Sequence, residues 1–177
     1  MNKKPLFVNN FLAGQEKLDR RKEKNMTLTQ KEYSLLSDLK SQEQLCIEKY
    51  RKYEKSAADP TLKQIFSEIR TTEENHLSTV CKIQNGEELK TPSPAPSAAN
   101  EKLDYPISSA SEGQKKEDAY LCADALAMEK HVSSVYDVSI FEFSSPVLRD
   151  TLAHIQKEEQ NHGEKIYSYM AKNGMYS

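Results

Sequence analysis

The chain has 177 residues, with 25 Lys and Arg against 27 Asp and Glu, a net charge of -2, 37% hydrophobic residues and 5 Gly. That length suits one domain, or a duplicated unit sharing one core, and the balance favours long amphipathic helices over sheets. The acidic balance excludes a nucleic-acid binder that relies on phosphate neutralisation, and no apolar run approaches the roughly 18 residues of a membrane span.

Residues 1–28 include the run RRKEK and read as a flexible N-terminal tail. The stretch begins basic, but Asn9 and Asn10 break its apolar part and charges follow, so no signal peptide is expected. From Thr29 the helical signals begin. Thr29 and Glu32 have capping-box spacing and open a first helix that runs to about Ala57. Asp59-Pro60 is a helix cap followed by Pro at the first helical position, and the second helix continues to about Ile83, with Gly86 as its stop. Residues 87–113 hold most of the Pro and show no helical periodicity, which predicts a crossover. A third helix is expected from near Gln114 to Phe143. Ser145-Pro146 repeats the cap-plus-Pro signal, and a fourth helix leads to Gly174. The bundle thus spans 29–174, as hairpins 29–86 and 114–174.

The two hairpins repeat one another. A shift of 86 residues places Glu43 on Glu129, Tyr50 on Tyr136, Pro60 on Pro146, Leu62 on Leu148, Ile69 on Ile155, Glu73 on Glu159 and His76 on His162. Each half reads Glu-x6-Tyr and then Glu-x2-His. At helical spacing the inward seams are Leu36, Leu39, Glu43, Cys46, Tyr50, Tyr53, Ala57; Leu62, Phe66, Ile69, Glu73, His76, Val80, Ile83; Cys122, Leu126, Glu129, Val132, Tyr136, Ile140, Phe143; and Leu148, Leu152, Ile155, Glu159, His162, Ile166, Tyr169. Every seam has a Glu inside an apolar line. Glu43 and Glu73 are equidistant from the Asp59-Pro60 turn, as Glu129 and Glu159 are from Ser145-Pro146, so each pair faces across its hairpin at one height. Packing the hairpins about a two-fold axis gathers four carboxylates and two imidazoles in one layer.

Four desolvated carboxylates cost several kcal/mol each unless neutralised. Either they take up protons, or two divalent cations supply four positive charges. The paired His residues favour cations, since neutral imidazole is a metal ligand. The alternative is a bundle whose buried Glu and His satisfy one another without metal. Six protein ligands on two metals leave coordination positions open for small molecules. Cys46 and Cys122 read as small core side chains, and His131 and His154 as surface residues. The three Cys include no CxxC pair, so neither a disulfide framework nor a rubredoxin-type module is expected.

The constellation resembles the dinuclear sites of four-helix bundles, in which two helices each give a Glu and the other two each give Glu-x2-His. The chain is thereby similar to the ferritin-like superfamily, which implies an all-α, ferritin-like four-helix bundle. The resemblance implies that Glu73 and Glu159 bridge two iron or manganese ions. Glu43 with His76 would complete one, and Glu129 with His162 the other, while Tyr50 and Tyr136 would hydrogen-bond to carboxylates and orient them. A narrower resemblance lies in residues 115–176: the lead KKED, EKHVSSVY, the Ser-Pro turn, Glu-x2-His and the ending YSYM…NGMY. These are similar to the Coat F family of endospore-forming bacteria, and LLSDLKSQEQLCIEKYRKYEKSAADPTLKQIFSEI in the first half is similar to its clostridial-type members. That implies a component made in the mother-cell cytoplasm and assembled into the spore coat, with other coat proteins, and further copies of the chain, as partners. The alternative function is a di-iron or di-manganese oxidoreductase acting on peroxide, dioxygen or ferrous iron.

Overall fold

In the computed structural model the described residues are 28–87, 89 and 103–176. The tail 1–28 (all but Leu28) and most of the crossover 87–113 lie outside them. Among the described residues four helices follow in order: α1 (Gln30–Ser56), α2 (Pro60–Gln84), α3 (Glu112–Glu142) and α4 (Pro146–Lys172). Among the described residues there is no strand. α1 packs along α2 and α3 along α4, and the two hairpins meet through α1 against α3 and α2 against α4. The described residues form a four-helix bundle of two hairpins.

The local signals explain the boundaries. Thr29 and Glu32 form the reciprocal capping box, and Asp59 Oδ1 accepts from the Thr61 N–H at 2.7 Å ahead of Pro60. Gly86 takes the left-handed conformation at φ 69° and ends α2, with its N–H and that of Glu87 donating back to Ile83 and Lys82. Two expectations need correction. α3 starts earlier than Gln114, because Ser111 and Gln114 make a second capping box. Ser145 occupies the cap position of α4, but its side chain makes no capping hydrogen bond.

The predicted seams are the buried ones, except that Ile140 is half-buried and Ser139 turns inward beside it. Leu36, Leu39, Leu62, Phe66, Ile69, Leu148 and Leu152 have no solvent exposure. Each such side chain contributes about 1.5–3 kcal/mol, which offsets the cost of the polar layer midway along the bundle. Cys46 and Cys122 are buried, while Cys81 is half-buried. Burial, reinforced by the four nearby carboxylates, pushes the Cys46 thiol far up, so it stays protonated and serves as packing.

The two turns are pinned by acids from the opposite hairpin. Glu32 at the start of α1 accepts from the backbone N–H of Ser144 at 2.8 Å and from its hydroxyl at 3.0 Å. Asp118 near the start of α3 accepts from the N–H groups of Ala58 at 2.7 Å and Asp59 at 3.0 Å. Glu32 and Asp118 are equivalent in the 86-residue repeat, as are Ala58 and Ser144, so the duplication extends to the way each hairpin holds the other's turn. Burial alone would raise the Glu32 pKa. The hydrogen bonds from Ser144 and Thr29 outweigh it and hold the carboxyl below its ordinary value of 4.5. Since the folded pKa is depressed, Glu32 stabilises the fold fully above pH 4.5 and the contribution disappears as pH falls through the lowered value. Urea unfolding of Glu32→Gln should therefore lose part of the acid-side slope of stability between about pH 5 and 3. An unchanged slope would remove Glu32 from that role.

Candidate metal centre

All six sequence-predicted residues converge. Glu43 from α1, Glu73 and His76 from α2, Glu129 from α3, and Glu159 and His162 from α4 are each no more than 3% exposed. Their donor atoms form two groups, Glu43–Glu73–His76–Glu159 and Glu73–Glu129–Glu159–His162, each with all atoms within 4.8 Å of one another. His76 Nδ1 lies 3.0 Å from Glu159 Oε1, 3.4 Å from Glu73 Oε2 and 3.8 Å from Glu43 Oε2. His162 Nδ1 lies 3.0 Å from Glu73 Oε1 and 3.5 Å from both Glu129 Oε2 and Glu159 Oε2. Glu73 and Glu159 thus each give one oxygen to either group. The imidazoles stack, with centroids 5.7 Å apart.

The orientation of the other two carboxylates is set across the bundle. Tyr50 of the first hairpin donates its hydroxyl hydrogen bond to Glu129 Oε1 of the second, and Tyr136 of the second donates to Glu43 Oε1 of the first. Each Tyr is buried and each terminal carboxylate keeps its second oxygen turned toward the layer. Tyr50 is itself packed against Tyr53 and Phe66 at centroid distances of 5.9 and 5.8 Å.

Sequence reasoning missed Glu158. Its Oε2 lies 3.0 Å from His76 Nε2 and 3.5 Å from His154 Nε2, so His154 is half-buried against it and is not the surface residue expected. The Nε2–Glu158 contact holds the ring with Nδ1 facing the layer, and a neutral imidazole with its proton on Nε2 would offer the Nδ1 lone pair there. The equivalent of Glu158 in the first half is Thr72. The only signal in the sequence is a second acid beside Glu159, and a run of two acids is ordinarily a solvated face. Glu158→Gln should weaken divalent-ion binding about 10–100-fold in a metal titration, and an unchanged affinity would show that the imidazole needs no such support.

Eight polar atoms of these six side chains are buried with no hydrogen-bond partner: both oxygens of Glu73 and of Glu159, Oε2 of Glu43 and of Glu129, and Nδ1 of both His residues. Native interiors rarely leave such groups unmet. Here they gather in two groups, each within 4.8 Å, and they are the oxygen and imidazole donors that first-row divalent ions take. The residues present fit two such ions.

The electrostatics of the metal-free chain lead to the same requirement for positive charge. Burial, with Glu73 and Glu159 adding to it, pushes the Glu43 carboxyl well up. Burial also pushes Glu129 well up, against the opposing pull of His162. Burial and Glu159 act on Glu73 in the same sense, but the two imidazoles outweigh them and its pKa falls; Glu159 falls likewise. Burial would lower both His residues, yet the surrounding carboxylates raise them well above the ordinary value. In the chain by itself these shifts favour the protonated form of Glu43 and Glu129 and the charged form of both imidazoles.

A cleft of about 590 Å³ between α3 and α4 has Glu129 and Glu159 among its walls, together with Ser133, Gly163, Tyr167 and Tyr176. A smaller one of about 320 Å³ ends on His76, Glu158 and His154, behind the imidazole. No helix among the described residues is long and apolar enough to cross a membrane.

No curated protein and no solved structure matches the chain. One family model does, that of the Coat F domain, over residues 117–177. The matched segment takes in most of α3 and all of α4, and with them Glu129, Tyr136, Glu159 and His162. The second hairpin of this chain is therefore similar to the Coat F domain.

Proposed function

We propose that this chain is a spore-coat component of ferritin-like architecture whose bundle holds two divalent ions, iron or manganese, in the six-residue layer. The Coat F domain supports the location. The observation that carries the metal reading is the set of eight buried, unpartnered donor atoms on six converging side chains. Four ionised carboxylates and two divalent ions balance in charge, and ligation removes a desolvation cost of several kcal/mol per group. Glu73 and Glu159 span both positions, Glu43 with His76 and Glu129 with His162 serve one each, and Tyr50 and Tyr136 fix the terminal carboxylates. Carboxylate and imidazole donors suit iron and manganese alike. The location is tested by immunodetection in coat extracts of purified spores. Presence there is expected; absence from spores with abundance in growing cells would overturn it.

The cleft that reaches Glu129 and Glu159 favours a second reading, an oxidoreductase acting on peroxide, dioxygen or ferrous iron, with other coat proteins and further copies of the chain as its surroundings. Bound iron or manganese would supply the redox chemistry, while the protein orients the ligands and keeps bulk water away. Anaerobic Fe(II) loading followed by air or peroxide should give an absorption change that Glu73→Ala lacks. No change in the unmodified chain would contradict this reading and leave the coat assignment standing.

A further inference from the structure

The repeat makes the two halves of the layer comparable residue by residue, and they differ in what covers them. On the first hairpin, Ile47 of α1 is buried and Leu77 of α2 is half-buried. Their equivalents at the 86-residue shift are Ser133 and Gly163. Two branched apolar side chains in one half are thus replaced by a hydroxymethyl group and a hydrogen atom in the other. It is here that the α3–α4 cleft forms, and Ser133 and Gly163 line it beside Glu129 and Glu159. A Cβ added at Gly163 would meet Leu126 Cδ1 at 3.6 Å and Glu129 Cβ at 4.0 Å, ordinary contacts, so the helix tolerates a side chain there and the space beyond is open. Tyr167 and Tyr176, nearly half exposed and in edge contact at 5.0 Å, stand at the cleft's outer part.

The back of the layer differs in the opposite sense. Glu158 supports His76, whereas Thr72 occupies the equivalent place for His162, and the smaller cleft reaches the His76 ring and Glu158 without touching a carboxylate of the layer. The larger cleft meets carboxylates of the layer, whereas the smaller one meets an imidazole and the acid beside it.

We propose that the cleft lined by Ser133 and Gly163 is the route by which a peroxide-sized molecule or small anion reaches the layer at Glu129 and Glu159, whereas the smaller cleft stops at the His76 ring. This rests on the dinuclear reading above. Azide is a suitable probe, being a small anion close to peroxide in size, and Co(II) a suitable spectroscopic ion for carboxylate and imidazole donors. The unmodified chain should take two Co(II), and azide should perturb their visible absorption. In Gly163→Leu, two Co(II) should still bind while the apparent azide affinity falls at least about tenfold, worth about 1.4 kcal/mol. Ser133→Ile, which installs the residue the first hairpin already carries, should act in the same direction and serves if Gly163→Leu does not fold. Leu77→Ala, which trims the cover of the first half and leaves the α3–α4 cleft intact, should not lower the azide affinity. Two Co(II) with undiminished azide affinity in both plugged variants would overturn the access route while the dinuclear reading stands. So would two Co(II) with no azide response in the unmodified chain. Failure of the unmodified chain to bind Co(II) at all would overturn both.

Discussion

Glu73→Ala should abolish uptake of both divalent ions, whereas Glu43→Ala should abolish one. The difference follows from where the oxygens point. Glu73 gives Oε2 to the His76 group and Oε1 to the His162 group, while Glu43 belongs to the first group alone. Glu129→Ala should mirror Glu43→Ala, because the two are equivalent in the repeat and each sits in one group. Ions per chain after desalting should read two for the unmodified protein, one for Glu43→Ala or Glu129→Ala, and none for Glu73→Ala or Glu159→Ala. Thermal unfolding gives a second readout. Saturating ion at a thousandfold excess over Kd stabilises the folded state by about 4 kcal/mol, on the order of 10 °C for a domain of this size. That increment should vanish in Glu73→Ala, in which a chelator changes nothing. Equal losses from Glu43→Ala and Glu73→Ala would contradict the sharing of Glu73 between the groups.

The second large effect lies away from the layer. Asp118→Ala should destabilise the bundle by about 3 kcal/mol, because a carboxylate hydrogen bond to a buried N–H contributes about 1.5–3 kcal/mol and two such donors lose their acceptor at once. Asp118 has no solvent exposure and receives the N–H groups of Ala58 and Asp59 on separate oxygens, so water does not readily replace it. For a chain of this length the fall in Tm should be about 6–12 °C. Asp118→Asn retains one acceptor oxygen and should cost about half as much. Denaturant unfolding of the two variants checks the order, and a loss in Asp118→Ala below about 0.5 kcal/mol, the range of an ordinary surface change, would exclude Asp118 as the clasp of the first turn.

What could be read in the sequence, and what could not, divides along a physical line. The duplication, the two Pro-opened helices, the seams and the six polar members of the layer depend on spacing along a helix or distance from a turn, and both are local or internal to one hairpin. The contacts missed act between hairpins. That Glu32 would reach Ser144, Asp118 the Asp59 turn, Tyr50 the carboxylate of Glu129, and Glu158 the far side of His76 depends on how one hairpin is seated on the other. A two-fold arrangement was foreseen, but the crossing of the Tyr–Glu pairs was not. The seam of α3 slipped at its end for a different reason. Val138 and Phe141 are apolar yet well exposed there, so periodicity alone did not distinguish Ile140 from Ser139 as the inward residue.

The proposed function rests on the six-residue layer: under that reading its buried acids persist because two divalent ions supply the positive charge. Elemental analysis of the protein purified from sporulating cells of its own host tests this most directly. The expected result is two ions of iron or manganese per chain, retained through desalting and lost with a fall in Tm on chelation. Protein that carries no metal, takes none up on exposure to Fe(II) or Mn(II), and unfolds at the same temperature with and without chelator would contradict it.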